Sequence, residues 1–182
     1  MLMVVCIIAL IAVIGIPFTN NVFANFRLGG DARMVLNAVS LAKMRAASNF
    51  TNARLYVDLA ARTHHIDILQ KGAPNVWVAD GGTTTLAQGD VYGWGPAGAP
   101  PGTAPLAQSP NCQTALGAAI ANTACIIFNS RGVPVDNAGA ATGANAIYLN
   151  DGTTLYAVTM SATGQARLYR GTWSGAPSWI QQ

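Results

Sequence analysis

The first sixteen residues, Met-Leu-Met-Val-Val-Cys-Ile-Ile-Ala-Leu-Ile-Ala-Val-Ile-Gly-Ile, carry no charge and no strongly polar side chain. Apart from the thiol of Cys6, the first ionisable side chain is that of Arg27, so everything upstream can sit in hydrocarbon with almost no cost of buried charge. Such a run belongs in a membrane or in an apolar core. A spanning helix takes about 20 apolar residues, a length that Met1 to Ile16 reaches if Phe18 to Phe26 carries the helix onward or if further residues stand upstream. Pro17 removes one backbone hydrogen bond, which in apolar surroundings loosens or kinks a helix rather than ending it.

Helical periodicity continues beyond that point. Phe26, Leu28, Val35, Val39, Ala42 and Ala46 recur at helical spacing, and Leu36, Leu41 and Met44 widen the apolar face. Arg27, Arg33, Lys43 and Arg45 interleave with them, and Asn49-Phe50-Thr51-Asn52 breaks the pattern. The spacing predicts one helix of roughly 45 to 50 residues, about 70 Å long at about 1.5 Å per residue. Residues 1–24 form its anchor and 25–50 an amphipathic half that packs on something, leaving 51–182 for a head with a single core.

The head reads as antiparallel β structure. Ala53 to Leu59 and His64 to Leu69 alternate as a hairpin, Asn75 to Ala79 is a third strand, and Val91 to Trp94 a fourth. Residues 95–110 shift to Pro, Gly and Ala, a long surface loop with no periodicity. Strand character returns at Ile126 to Phe128, Arg131 to Pro134, Ala146 to Leu149, Leu155 to Met160 and Ala166 to Tyr169. Asn150-Asp151-Gly152 and Ala162-Thr163-Gly164-Gln165 supply the turn chemistry between the last three. The fold class expected is α+β, a long N-terminal helix on an antiparallel head.

Composition favours export and packing over soluble chemistry. Charged residues are 9% of the chain, against about 25% in ordinary domains, and a net charge of +3, thinly scattered, does not make a nucleic-acid face. Cys6 lies in the anchor, which leaves Cys112 and Cys125 as a pair. A disulfide between them is expected, formed in an oxidising compartment and contributing about 2 to 4 kcal/mol; the alternative is two free thiols. Without nearby histidines, two cysteines do not complete a zinc site.

Catalytic groups are few. His64 and His65 lie in an alternating strand, one ring towards solvent and one towards the sheet, with no Cys, Asp or Glu cluster to complete a metal site. There is no Gly-x-Ser-x-Gly, no phosphate loop and no carboxylate pair at a useful spacing, so neither an enzyme nor a cofactor is expected. Phe18, Phe23 and Phe26 read as packing aromatics, and no Cys-x-x-Cys-His is present to attach haem. Asn49-Phe50-Thr51 is a formal glycosylation acceptor.

Leu2-Met3-Val4-Val5, the aliphatic run, Gly15, Pro17-Phe18, Arg27-Leu28 and Leu41-Ala42-Lys43-Met44-Arg45-Ala46 together resemble the N-terminal helix of type IV pilins and pseudopilins, most closely the GspH/FimT group. Phe128-Asn129-Ser130-Arg131-Gly132-Val133-Pro134 and Thr163-Gly164-Gln165-Ala166-Arg167-Leu168 resemble that group's C-terminal half, in the same order; residues 70–122 carry no such likeness. The resemblance implies a bacterial structural subunit held in the inner membrane before assembly, then packed through Leu2, Met3, Val4, Val5, Ile7, Ile8, Leu10, Ile11, Val13, Ile14, Pro17 and Phe18 in the core of a cell-surface filament. Its implied partners are identical subunits, other pilins or pseudopilins and an inner-membrane assembly platform. The reading taken from it is the structural subunit of an extracellular filament; the alternatives are a minor pseudopilin of a secretion or pilus machine and a membrane-anchored periplasmic binding module.

Two departures from the family pattern stand out. The family's glutamate after the processing site would fall about where Met1 stands, and this sequence contains no Glu. Either the chain given starts at an internal Met or the subunit assembles without the buried pair that this acid forms with a neighbour's N-terminus. DNA contact, attributed in some relatives to arginines of the last hairpin, is disfavoured here, since Gln165 replaces the first of them and Arg167 and Arg170 would neutralise few phosphates. A cleavable signal peptide, suggested by Val22-Phe23-Ala24, lacks a basic leading segment, and a simple signal anchor remains a competing reading of the helix taken by itself.

Overall fold

The computed structural model of the protein describes residues 26–72, 74–94, 98, 108–143, 145–172 and 179–182. A helix, α1, occupies residues 26–48. Leu28, Ala32, Val35, Val39, Ala42 and Ala46 form its fully buried stripe, alternating steps of four and three that keep one line of the helix facing inwards. Three of the six are alanine, and Gly29 lies where a Cβ would stand 3.2 Å from the Tyr156 hydroxyl, so the helix axis can come close to the strands beneath it. The buried face is narrower than the expected one: Phe26, Leu41 and Met44 point outwards. The helix ends as Thr51 N–H donates to the Ala46 carbonyl at 3.2 Å, with Phe50 at φ 51° in the left-handed position that glycine usually takes.

Strands follow as β1 (Ala53–Asp58), β2 (Thr63–Gln70), β3 (Val76–Ala79), β4 (Thr84–Thr85), β5 (Val91–Tyr92), β6 (Thr123–Phe128), β7 (Pro134–Val135), β8 (Asn145–Asn150), β9 (Thr154–Met160), β10 (Ala166–Thr172) and β11 (Ile180–Gln181). They make two antiparallel sheets, one ordered β3-β2-β1-β6-β7 with β4 also on β2, the other β11-β10-β9-β8-β5. The expected β1–β2 hairpin is present, with Leu55 opposite Ile66. The strand expected at Arg131 to Pro134 begins only at Pro134, because Gly132 at φ 72° donates to the Asn129 carbonyl and turns the chain there. The two-residue strands β4 and β11 carry no periodicity to read.

Alternation divides each sheet into two working faces. From the first sheet, Leu55, Val57, Ile66, Ile126 and Phe128 join Ile147, Leu149, Val158 and Leu168 of the second and the buried stripe of α1 in one core. The outer face of the first sheet is covered around Cys112, Cys125, Ile127 and Val135, and that of the second around Tyr148, Tyr169, Trp94 and Trp179.

Candidate functional site

Three of the stretches that carry the family resemblance, 41–46, 128–134 and 163–168, are far apart in sequence and meet in space. Lys43 of α1 donates to the Gly164 carbonyl at 2.9 Å, in the β9–β10 turn. Its methylenes lie against Gly132 of the β6–β7 turn, and a Cβ built on Gly164 would stand 2.7 Å from the Gly132 carbonyl oxygen. Gly164 is also at φ 75°, so both its conformation and its surroundings exclude a side chain. One lysine thereby ties the helix to a turn of each sheet.

The opposite side of α1 is the surface available to another chain. Phe26 is 74% exposed and Met44 59%, and Met34, Asn37, Leu41 and Met44 follow at steps of three and four, the spacing of a seam that a second helix can enter. Beside them runs a groove of about 370 Å³ between α1 and β2, lined by Met34, Leu41, Ile66, His65 and the Asp80–Gly82 turn. Arg45 closes one end on Asp80 at 2.9 Å. No described helix is long and apolar enough to cross a membrane.

Buried polar groups fix the frame around this surface. Asp31 accepts the Ala87 N–H at 2.7 Å, holding the start of α1 to the loop before β5. His64 Nδ1 and the Tyr92 hydroxyl are 2.8 Å apart; burial lowers the His64 pKa and favours the neutral ring, with the charge of Asp31 opposing it and His65 adding to the fall. On the outer face of the first sheet, Arg54 grips Asp67 through Nε and Nη2, both at 2.8 Å, and donates through Nη1 to the Gln113 carbonyl at 2.6 Å. Burial works to raise the Asp67 pKa, but the hydrogen bonds and charges of His65 and Arg54 outweigh it and hold the carboxyl below its ordinary range.

Of the residues singled out in the sequence, Leu2, Met3, Val4, Val5, Ile7, Ile8, Leu10, Ile11, Val13, Ile14, Pro17 and Phe18 lie outside the described residues, as does most of the 95–110 loop. Cys112 and Cys125 are joined as a disulfide. Arg167 and Arg170 are both exposed, but three residues apart on β10 they leave opposite faces of the sheet, and Arg167 is engaged with the Gln165 side-chain oxygen at 3.1 Å. His64 is buried and His65 partly exposed, the alternation expected. Among the described residues no group of three or more His, Cys, Asp or Glu is placed to hold a metal ion. Sequence reading passed over the Arg54–Asp67 pair and Trp77; a period-two strand with charges at cross-strand positions was the available signal.

No protein-family model matches the chain, and no curated protein matches it in sequence. Among solved structures it is similar to the minor pseudopilin EpsH from the type 2 secretion system of Vibrio cholerae, at 15% sequence identity and a TM-score of 0.39, over 86% of this chain and 96% of that one. A likeness that loose transfers no property from that protein to this chain.

Proposed function

We propose that this chain is a structural, non-catalytic pilin-like subunit, and that its place is that of a minor component assembling with other pilin-like chains rather than of the main subunit of a filament. The observation that carries the proposal is the seating of α1. Its buried stripe and Lys43 fix it to both sheets, while the residues just before it in sequence form the uncharged run. A subunit whose head holds α1 and whose preceding sequence is apolar assembles by burying that apolar run among its neighbours, a large and non-directional gain that head contacts must then register. The minor place is preferred because residues 128–134, at the β6–β7 turn, and 163–168, at the β9–β10 turn, resemble the GspH/FimT group in the same order.

Quantitative mass spectrometry of sheared surface fibres against the cell-envelope fraction tests this. The chain is expected to be scarce in the sheared material and to crosslink in the envelope to other pilin-like subunits. Ile11→Asp in the uncharged run should abolish that crosslinking while leaving the thermal midpoint of the head unchanged. A chain that dominates the sheared fibres is the main subunit instead; one that forms no crosslinks to any pilin-like chain is an anchored binding module.

A further inference from the structure

A cleft on the outer face of the first sheet has no part in the assembly just described. Its floor is a row across β3 and β2 to the residue before β1: Trp77 pairs with Leu69, and the Leu69 N–H donates to the Asn52 carbonyl at 2.8 Å. Buried Ile127 completes it. The Trp77 indole is held as a rigid plate because the Arg54 guanidinium stacks on it at 4.2 Å and is itself pinned by Asp67 and the Gln113 carbonyl.

The walls are two stiff turns. One is the disulfide-closed loop, where Gln113 bridges Ala119 and Thr114 N–H donates to the Ala118 carbonyl at 2.8 Å. The other is the turn after β7, where Asp136 Oδ1 accepts from Ala138 and Ala140. Between them the side-chain amides of Asn52 and Gln113 make no hydrogen bond among the described residues, and neither does Asp136 Oδ2.

The volume, about 140 Å³, is below the roughly 300–1,000 Å³ of sites for drug-sized ligands and suits one small ring. Of the described residues lining it, one is anionic and none is cationic, so phosphate, sulfate and carboxylate ligands are disfavoured. An aromatic plate takes the C–H face of a ring, and amides that both donate and accept, with a carboxylate oxygen beside them, match a ligand whose rim is hydroxyl groups.

We propose that this cleft binds a single neutral sugar residue, stacked on Trp77 and hydrogen-bonded by Asn52, Gln113 and Asp136, as the terminal unit of a glycan. The contact joins preformed elements, so little ordering opposes it, although one small ring supports only weak affinity for each site.

The full chain in a zwitterionic detergent, chosen because sugar-headed detergents would compete, is applied to an array of neutral and sialylated glycans. Retained glycans are then competed with the free monosaccharide. Retention of neutral glycans is expected, with about a tenfold weakening in Gln113→Ala and in Asn52→Ala, the worth of one hydrogen bond at a desolvated site. Trp77→Ala should abolish it. The first two changes are at half-buried polar side chains outside the core, so they decide the matter even if Trp77→Ala unfolds. Retention of sialylated glycans alone, no retention, or retention unaltered by Gln113→Ala and Asn52→Ala would overturn the proposal.

Discussion

Asp90 is 1% exposed, and neither of its carboxylate oxygens meets a hydrogen-bond donor among the described residues. Burial first, then the charge of Asp31, push its pKa from 3.8 up to about 6, with Asp151 adding to the rise and Arg27 opposing it. A buried carboxylate near a second one resists ionising. Because the folded chain binds that proton more tightly than the unfolded one, the contribution to stability is complete below about pH 4 and is lost as pH rises through about 6. Asp90→Asn should therefore raise the thermal midpoint at neutral pH and flatten its dependence across that window, read from melting curves at several pH values. His64, with its lowered pKa, acts in the opposite sense, losing stability as pH falls, so the difference between variant and parent isolates Asp90.

At the scale of elements, the fold depends on turns that let two sheets meet one helix. Gly164 and Gly152 both have positive φ, at 75° and 84°. A Cβ at Gly152 would meet nothing within 4 Å, whereas one at Gly164 would press on the Gly132 carbonyl and on Lys43. Gly152→Ala is expected to cost about 1 kcal/mol for the left-handed backbone alone. Gly164→Ala should cost at least about 2 kcal/mol, since the contact with Gly132 must also give way. Denaturant unfolding of the two variants measures the difference, and equal losses would mean that the helix–turn junction can relax freely. Phe50 applies the same conformational rule at the end of α1, where a left-handed aromatic stands 78% exposed.

Across the whole molecule, the disulfide belongs to one layer. Cys112 and Cys125 lie with Ile127 and Val135 on the outer face of the first sheet, away from the core shared by α1 and both sheets. Replacing both cysteines by serine should lower stability by about 2–4 kcal/mol. The accompanying gain in amide hydrogen exchange should fall on residues 109–125, with α1 still protected. Exchange spreading equally through α1 would show instead that the two layers unfold as one unit.

Leu28, Val35, Val39, Ala42 and Ala46 were legible as the inward stripe of a helix because burial against a flat neighbour imposes helical spacing on the sequence. The β1–β2 and β9–β10 hairpins were legible from alternation and turn residues, and the cysteine pair from arithmetic. Phe26, Leu41 and Met44 were misplaced because apolarity says that a residue resists water, not which neighbour covers it. What the sequence by itself determined was therefore local: an uncharged run, a helix after it, and strands with their turns. Only the tertiary structure decided that there are two sheets rather than one, that Gly132 and Gly164 meet under Lys43, that Asp31 and Asp90 share a buried site, and that Trp77 floors a cleft beside Gln113. Each of these joins residues distant in sequence, and long-range pairing leaves no period for the sequence to display.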